Sequence, residues 1–444
     1  MKYLFVACLL CLSVLSAVAK VPAMNKIRLT NNWEYLKGDL GGIWEAVRPA
    51  APGSSEAVPI WQPVTLPHCF NAEDAVDPDV NYYEGPGWYK TLLAIDNPYR
   101  NGRIVLDFDG AGQKTDVYVY TTHVGSHVGG YDSWNVDITD AVKAFLGSKD
   151  AERFKGKVPL SIRCDNSRDL EMIPSDLADF NIYGGLYRYL NLVYLPEVSF
   201  EQIHLESSLS SNLKEGILKV KTSFYNPEDI RKADVTVSVY DVDRKPVFSK
   251  TLEGIPPLGD QLLAKMKIKN PVLWDVDVPQ LYTCELTVKT PDQTFTTEER
   301  FGFRHTEFKD KGPFFLNGKH LLLRGTHRHE DHAGVAQAMT EDMMRREMRM
   351  MKDMGVNFIR LGHYQQSEII LDLCDELGIL VWEEIPWCRG GLGGDVYKKQ
   401  ARRMLANMIV QHHNHPAVII WGLGNENDWP NDFNTFDKSA IRAF

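Results

Sequence analysis

Four short stretches of the chain end in residues that can do chemistry. "LLLRGTHRH" closes on His327, Arg328, His329 and then Glu330. "NFIRLGHY" supplies Arg360, His363 and Tyr364, and "LVWEEIP" supplies Trp382, Glu383 and Glu384, with Trp387 just beyond. "VIIWGLGNE" ends on Asn425 and Glu426. A charge at the mouth of an apolar segment is costly unless it is paired or used. Four such segments ending the same way imply use. Carboxylates, imidazoles, guanidinium and indoles gathered on one rim suit a polyol ligand, whose hydroxyls take the polar groups and whose ring face takes the indoles. Other chemistries fit less well. No G-x-S-x-G elbow is present. The "HRHEDH" cluster (His327 to His332) lacks the helical H-E-x-x-H spacing, so no metal is expected. "QHHNHP" (Gln411 to Pro416) sits at a predicted helix end, where histidines can bond the last carbonyls.

The elements that position these residues follow from the hydrophobic pattern. After "FLNGKH", a hairpin tipped by Asn317-Gly318, short apolar strands alternate with helices predicted over about 341–354, over "SEIILDLCDELG" closing on Gly378, and over "VYKKQARRMLANMIVQHH". Alternating βα signals imply a parallel sheet, with chemistry at the strand carboxyl ends. Upstream, the signals are strands and turns. "RIVLDFDG", "KTDVYVY" and the Gly-Gly turn of "VGGYDSWNVDIT" read as one β-sandwich; "LKVKTSFYN", "ADVTVSVYD" and "LYTCELTVK" alternate with period two and read as a smaller immunoglobulin-like sandwich.

Composition bounds the rest. At 444 residues several domains are expected. A net charge of −10 argues against nucleic acid as a partner. Lys2, the apolar run Tyr3 to Leu15 and Ser16-Ala17-Val18-Ala19 have the form of a secretory signal peptide, too short to span a membrane. The expected product is exported, periplasmic or extracellular, without a membrane span. Cys69, Cys164, Cys284, Cys374 and Cys388 are scattered and lack C-x-x-C spacing, which speaks against a disulfide framework, and Cys374 reads as a small core residue.

Taken together, "VTLPHCFNAED", "YYEGPGWYK", "GGLYR", "LNGKHLLLRGTHRHED", "NFIRLGHY" and "NHPAVIIWGLGNE" closely resemble glycoside hydrolase family 2, the β-galactosidase, β-glucuronidase and β-mannosidase family. The resemblance implies a multidomain chain: signal peptide 1–19, a jelly-roll-like sugar-binding β-sandwich 20–196, an immunoglobulin-like β-sandwich 197–304, and the first half, about four β/α units, of a (β/α)8 TIM barrel at 305–444. It implies Glu426 as general acid/base and Asn425 as the residue bonding the sugar 2-hydroxyl. His329, Arg360 and His363 are expected to line the pocket, with Asp179 reaching it from the first domain. The expected activity is hydrolysis of terminal β-glycosides, β-galactosides first, by a retaining two-carboxylate mechanism, with no cofactor or metal and with self-association left open. The alternative is a non-catalytic carbohydrate-binding or scaffold protein with a decayed barrel. Some positions depart from the family pattern: Leu361-Gly362 and Gln365 around the His-Tyr pair, Tyr120-Thr121 where many β-galactosidases have Asn-Gly, and "IPWCRG" where magnesium-dependent members carry Glu and His. The family's nucleophile is a Glu on the seventh barrel strand, expected beyond position 444, so the isolated chain is expected to be inactive or weak.

Overall fold

The computed structural model describes residues 26–49, 59–175, 178–227, 229–389 and 393–427. The expected signal peptide lies outside them. The described residues between 26 and 195 form a sandwich of a six-stranded and a four-stranded antiparallel sheet. Residues Ile162, Leu160, Val117, Leu106 and Phe108 fill the space between the sheets. The alternating burial of Lys114–Val119 shows how period two puts every second side chain inside. A second sandwich, of three and four strands, runs from Ser199 to Phe301 around Val220, Val235, Val237 and Leu286. The predicted hairpin forms with Asn317 and Gly318 both at positive φ, the twist a two-residue loop needs.

The remaining layer is a four-stranded parallel sheet: β1 (Gly325–Arg328), β2 (Phe358–Leu361), β3 (Leu380–Glu384) and β4 (Val418–Gly422), hydrogen-bonded in that order. Between them run α1 (Glu341–Asp353), α2 (Glu368–Leu377) and α3 (Asp395–His412). This is the first half of a (β/α)8 barrel following two β-sandwiches. The caps explain the helix limits. Thr340 and Ser367 each accept a bond from a first-turn N–H, and Gly378 ends α2 at φ 68°. Met344, Met348, Ile370, Leu371 and Cys374 pack this layer on the sheet, as the core reading of Cys374 required. No helix among the described residues is long and apolar enough to cross a membrane. The five described cysteines are all unpaired and buried.

The first sandwich is bolted to the barrel by buried charge. Arg188 donates from Nε and Nη2 to Glu330 Oε2 at 3.0 and 2.7 Å, and from Nη2 to the Gln365 carbonyl at 2.7 Å. Glu171, also from the first sandwich, accepts from Gly394 N and Tyr397 N at 2.6 and 3.1 Å, so its carboxylate serves the orphan donors at the start of α3. The loop after residue 178 is therefore held against the strand ends of another domain.

The histidines of "QHHNHP" behave differently from the sequence expectation. Two of the three bond carboxylates, not helix carbonyls: His412 Nδ1 lies 2.7 Å from Glu383 Oε2 and His415 Nδ1 lies 2.7 Å from Asp375 Oδ2, while the His413 ring packs on His204. The cause is burial. Both acids sit inside the packed layer, where an unpaired charge costs more than a terminal carbonyl left to water.

Candidate active site

Period two decides which of the strand-end residues share a pocket. On β1 and just beyond it, His327 and His329 point one way; Arg328 and Glu330 point the other. Arg328 Nη2 bonds Glu347 at 2.9 Å and its Nη1 bonds Gln366, while Glu330 takes Arg188. On β3, Glu384 faces the site and Glu383 turns outward to His412. Arg328, Glu330 and Glu383 thus leave the rim that the sequence reading gave them. Tyr364 also leaves it: its ring stacks on Tyr131 of the first sandwich at 4.2 Å and its hydroxyl accepts from Glu330 N at 2.9 Å. Trp382 lies under the Arg360 guanidinium at 4.4 Å rather than offering a free face.

Arg360, His363, Asn425 and Glu384 form one network. Arg360 forks onto Glu384, with Nε to Oε2 at 3.1 Å and Nη2 to Oε1 at 2.9 Å. Its Nη2 also donates to Asn425 Oδ1 at 2.8 Å. His363 Nδ1 lies 2.6 Å from Glu384 Oε1. Glu384 is fully buried, and a buried carboxylate is tolerable when several donors converge on it. Glycine at 422 makes the approach possible. A Cβ there would stand 2.5 Å from Glu384 Cβ and 2.6 Å from Trp382 Nε1.

Asn425 is fixed by backbone as well. Its N–H donates to the Trp387 carbonyl and its carbonyl accepts from Arg389 N, both at 2.9 Å, extending the β3–β4 pairing past the strands. Glu426 follows at φ 51°, in the left-handed region, and its side chain is exposed. Arg389 Nε bonds Glu426 Oε2 at 3.1 Å and lies 3.6 Å from Asp179 Oδ2. The Cys388 thiol donates to Asp179 Oδ1 at 3.2 Å and accepts from Asn425 Nδ2 at 3.4 Å. Burial would raise the Asp179 carboxyl, but the thiol, Arg389 and His363 outweigh it and hold the group below the usual carboxylate range. Burial, reinforced by Asp179, pushes the Cys388 thiol up to about 11, so it stays protonated and able to donate.

His329 stands beside His363 with ring centroids 5.2 Å apart, and Phe180, next to Asp179, packs on both. Burial followed by the neighbouring imidazoles and Arg360 lowers His327 to about 4, and burial with His363 lowers His329. Both rings are neutral near pH 7 and able to donate from one nitrogen and accept at the other.

All six expected site residues therefore meet at the strand carboxyl ends: Asp179, His329, Arg360, His363, Asn425 and Glu426. Sequence reasoning missed Cys388, Arg389 and Phe180. The first two follow β3 in a segment read only as a departure from a metal motif, and Phe180 carried no signal beyond its place next to Asp179.

Two sandwiches delivering a loop to the strand ends of a β/α barrel define a class of multidomain protein whose site lies between domains. Three family descriptions match in tandem: the glycosyl hydrolases family 2 sugar binding domain over residues 40–196, the family 2 domain over 198–304, and the family 2 TIM barrel domain over 307–443. The chain belongs to glycosyl hydrolase family 2. It is 38% identical over 422 residues to a Formosa agariphila protein provisionally named β-glucuronidase, covering 94% of this chain and 48% of the relative. It is 33% identical to a Bacteroides fragilis β-glucuronidase, covering 82% and 53%. The apo structure of Bacteroides uniformis β-glucuronidase 3 superposes with a TM-score of 0.88 at 59% identity, covering 96% of this chain and 53% of that one. The chain spans about half the length of these relatives.

Proposed function

We propose that the chain carries the acid/base half of a retaining β-glycosidase site, and that its substrate is a β-glucuronide. The observation behind the first part is the Asn425–Glu426 pair. Asn425 is held on both backbone and side chain, and Glu426 lies beside it, exposed and bonded to Arg389 at 3.1 Å. A glycosidic oxygen leaves poorly unless protonated as its bond breaks. Glu426 would give that proton and then, as carboxylate, activate water. Asn425, oriented by Arg360 and Cys388, would bond the sugar 2-hydroxyl. His329 and His363 would serve neighbouring hydroxyls, and Asp179 would close the pocket from the first domain.

Retention needs a second carboxylate roughly 5 Å from the first. Glu384 is a poor candidate, since Arg360 and His363 occupy its oxygens. On this reading the nucleophile belongs to the part of the longer relatives that these residues do not match. The β-glucuronide assignment replaces the β-galactoside expectation because the relatives above carry that name; a Thermoanaerobacterium thermosulfurigenes β-galactosidase is 30% identical.

The test is hydrolysis of aryl β-glucuronides and aryl β-galactosides by the complete gene product, with Glu426→Gln beside it. The glucuronide should be the faster substrate, and Glu426→Gln should lose about 10²–10⁴-fold on substrates with poor leaving groups. In kcat/KM its loss should be much smaller on dinitrophenyl glycosides, whose departure needs no proton, while the water-activating second step stays slow. Preferred galactoside turnover would overturn the sugar. An unimpaired Glu426→Gln would overturn the acid/base assignment, and no turnover of either would favour a binding role.

A further inference from the structure

We infer that His327, His329 and His363 form a three-imidazole site for a borderline transition-metal ion, Zn²⁺ first. "HRHEDH" by itself holds no metal motif. The fold adds a third imidazole from β2. Candidate ligand nitrogens of the three rings all lie within 4.8 Å of one another. The ring centroids are 4.8 Å apart for His327 and His363, 4.9 Å for His327 and His329, and 5.2 Å for His329 and His363.

Three features favour an ion over a chance cluster. The ligands come from adjacent strands: His327 on β1 and His329 two residues on share one face, and His363 follows β2. Among the described residues, neither the His327 nor the His329 ring is hydrogen-bonded to another side chain or backbone group, so no protein group holds their nitrogens, and His327 Nε2 only packs against Gly362. His363 has its Nδ1 engaged by Glu384 at 2.6 Å, which leaves Nε2 as its ligand atom. A carboxylate behind a ligating histidine is the usual arrangement at zinc sites, where it fixes the ring and makes it a stronger donor.

The donor set selects the metal. Three imidazole nitrogens suit Zn²⁺, Cu²⁺ or Ni²⁺ and offer nothing to Ca²⁺ or Mg²⁺, which take oxygen ligands. Zn–N bonds of about 2.0–2.1 Å place tetrahedral ligands roughly 3.3 Å apart. Closing the cluster to that spacing asks small rotations of exposed His327 and half-buried His329 around a fixed His363. A fourth position stays open to water. His329 and His363 are also the groups proposed above for sugar hydroxyls, so ion and sugar would exclude one another and Zn²⁺ would be a reversible inhibitor. That consequence rests on the glycosidase reading; ion binding does not.

The experiment is titration of the chelator-treated protein with Co²⁺, followed by its visible d–d absorption, and with Zn²⁺ by calorimetry. One ion per chain is expected, with an intense low-coordinate cobalt band. His327→Ala and His329→Ala should each weaken binding at least tenfold and remove the band while circular dichroism shows the fold intact. His332→Ala, on an exposed residue outside the cluster, should bind as the parent does. No ion bound by the parent, or unchanged affinity in both cluster variants, would overturn the site. If the ion binds as described but aryl-glycoside turnover is indifferent to Zn²⁺, the sugar assignment of these imidazoles fails and the metal site stands.

Discussion

Arg360 Nη2 donates to Asn425 Oδ1 at 2.8 Å while the same nitrogen and Nε are forked onto buried Glu384. One side chain thus couples the end of β2 to the residues beyond β3 and β4. It fixes which way the Asn425 amide faces, and so which hydrogen bond it can offer a ligand. An ammonium group cannot hold two carboxylate oxygens and an amide in one plane. If the proposed glycosidase function holds, Arg360→Lys in the complete gene product should therefore lower kcat/KM on aryl β-glycosides by about tenfold to a hundredfold, the size of one or two charge-assisted hydrogen bonds. Steady-state kinetics read this directly, and an unaltered kcat/KM would mean that the amide orientation is set by backbone alone.

Glu330 neutralises Arg188 where both side chains are only 1% exposed. Glu330→Ala leaves the guanidinium buried without an anion, at a cost of about 3–5 kcal/mol. Thermal unfolding should show a large drop in Tm. The double replacement Arg188→Met with Glu330→Leu should recover most of it, since neither charge of the pair then remains to bury and the neighbouring buried Arg328 keeps Glu347 as its partner. If the single and double variants melt alike, the pair is not what couples the first sandwich to the barrel.

His415 gives a pH dependence with a definite sign. Burial alone would lower its pKa, but the Asp375 charge and hydrogen bond reverse this and raise it to about 9, against an ordinary 6.5. The protonated ring is thus favoured in the folded state. The contribution is full below pH 6.5 and is lost as pH rises through about 9. Tm should fall by several degrees across that window (about 2–4 °C per kcal/mol in a domain of this size). The fall should flatten in His415→Asn.

Gly422→Ala tests the close approach of β4 to β3. The added methyl would meet Glu384 Cβ at 2.5 Å and Trp382 Nε1 at 2.6 Å. Overpacking of this kind costs about 1–3 kcal/mol. Because Glu384 must move, Arg360 and His363 move with it, so activity should fall by more than the change in Tm would suggest. Kinetics and melting on the same preparation separate the two.

Much of this was legible beforehand. The alternation of "ADVTVSVYD" placed its strand in a sandwich, and the βα rhythm after Leu321 placed four strand ends side by side, because periods of two and 3.6 residues are local properties of the chain. The same local rule, applied within "HRHE" and "WEE", also separates the pocket side from the outward side. At the end of β1, His327 and His329 alternate with Arg328 and Glu330, and at the end of β3, Glu384 alternates with Glu383. A strand end taken as a block, without this alternation, puts all of them on the rim.

The sequence by itself determined the order of the domains, the helix and strand periods and the residue types at each strand end. These depend on side chains near one another along the chain. Only the tertiary structure decided that Asp179 and Phe180 meet His363 and Cys388, residues some two hundred positions away in the chain. It also decided that Glu384 serves Arg360 and His363 at once, that His412 and His415 hold buried acids, and that a third imidazole joins His327 and His329. Each depends on packing between elements whose separation in the chain carries no record of their distance in space. The competition between partners for a buried charge is settled only when the surrounding layer has excluded water.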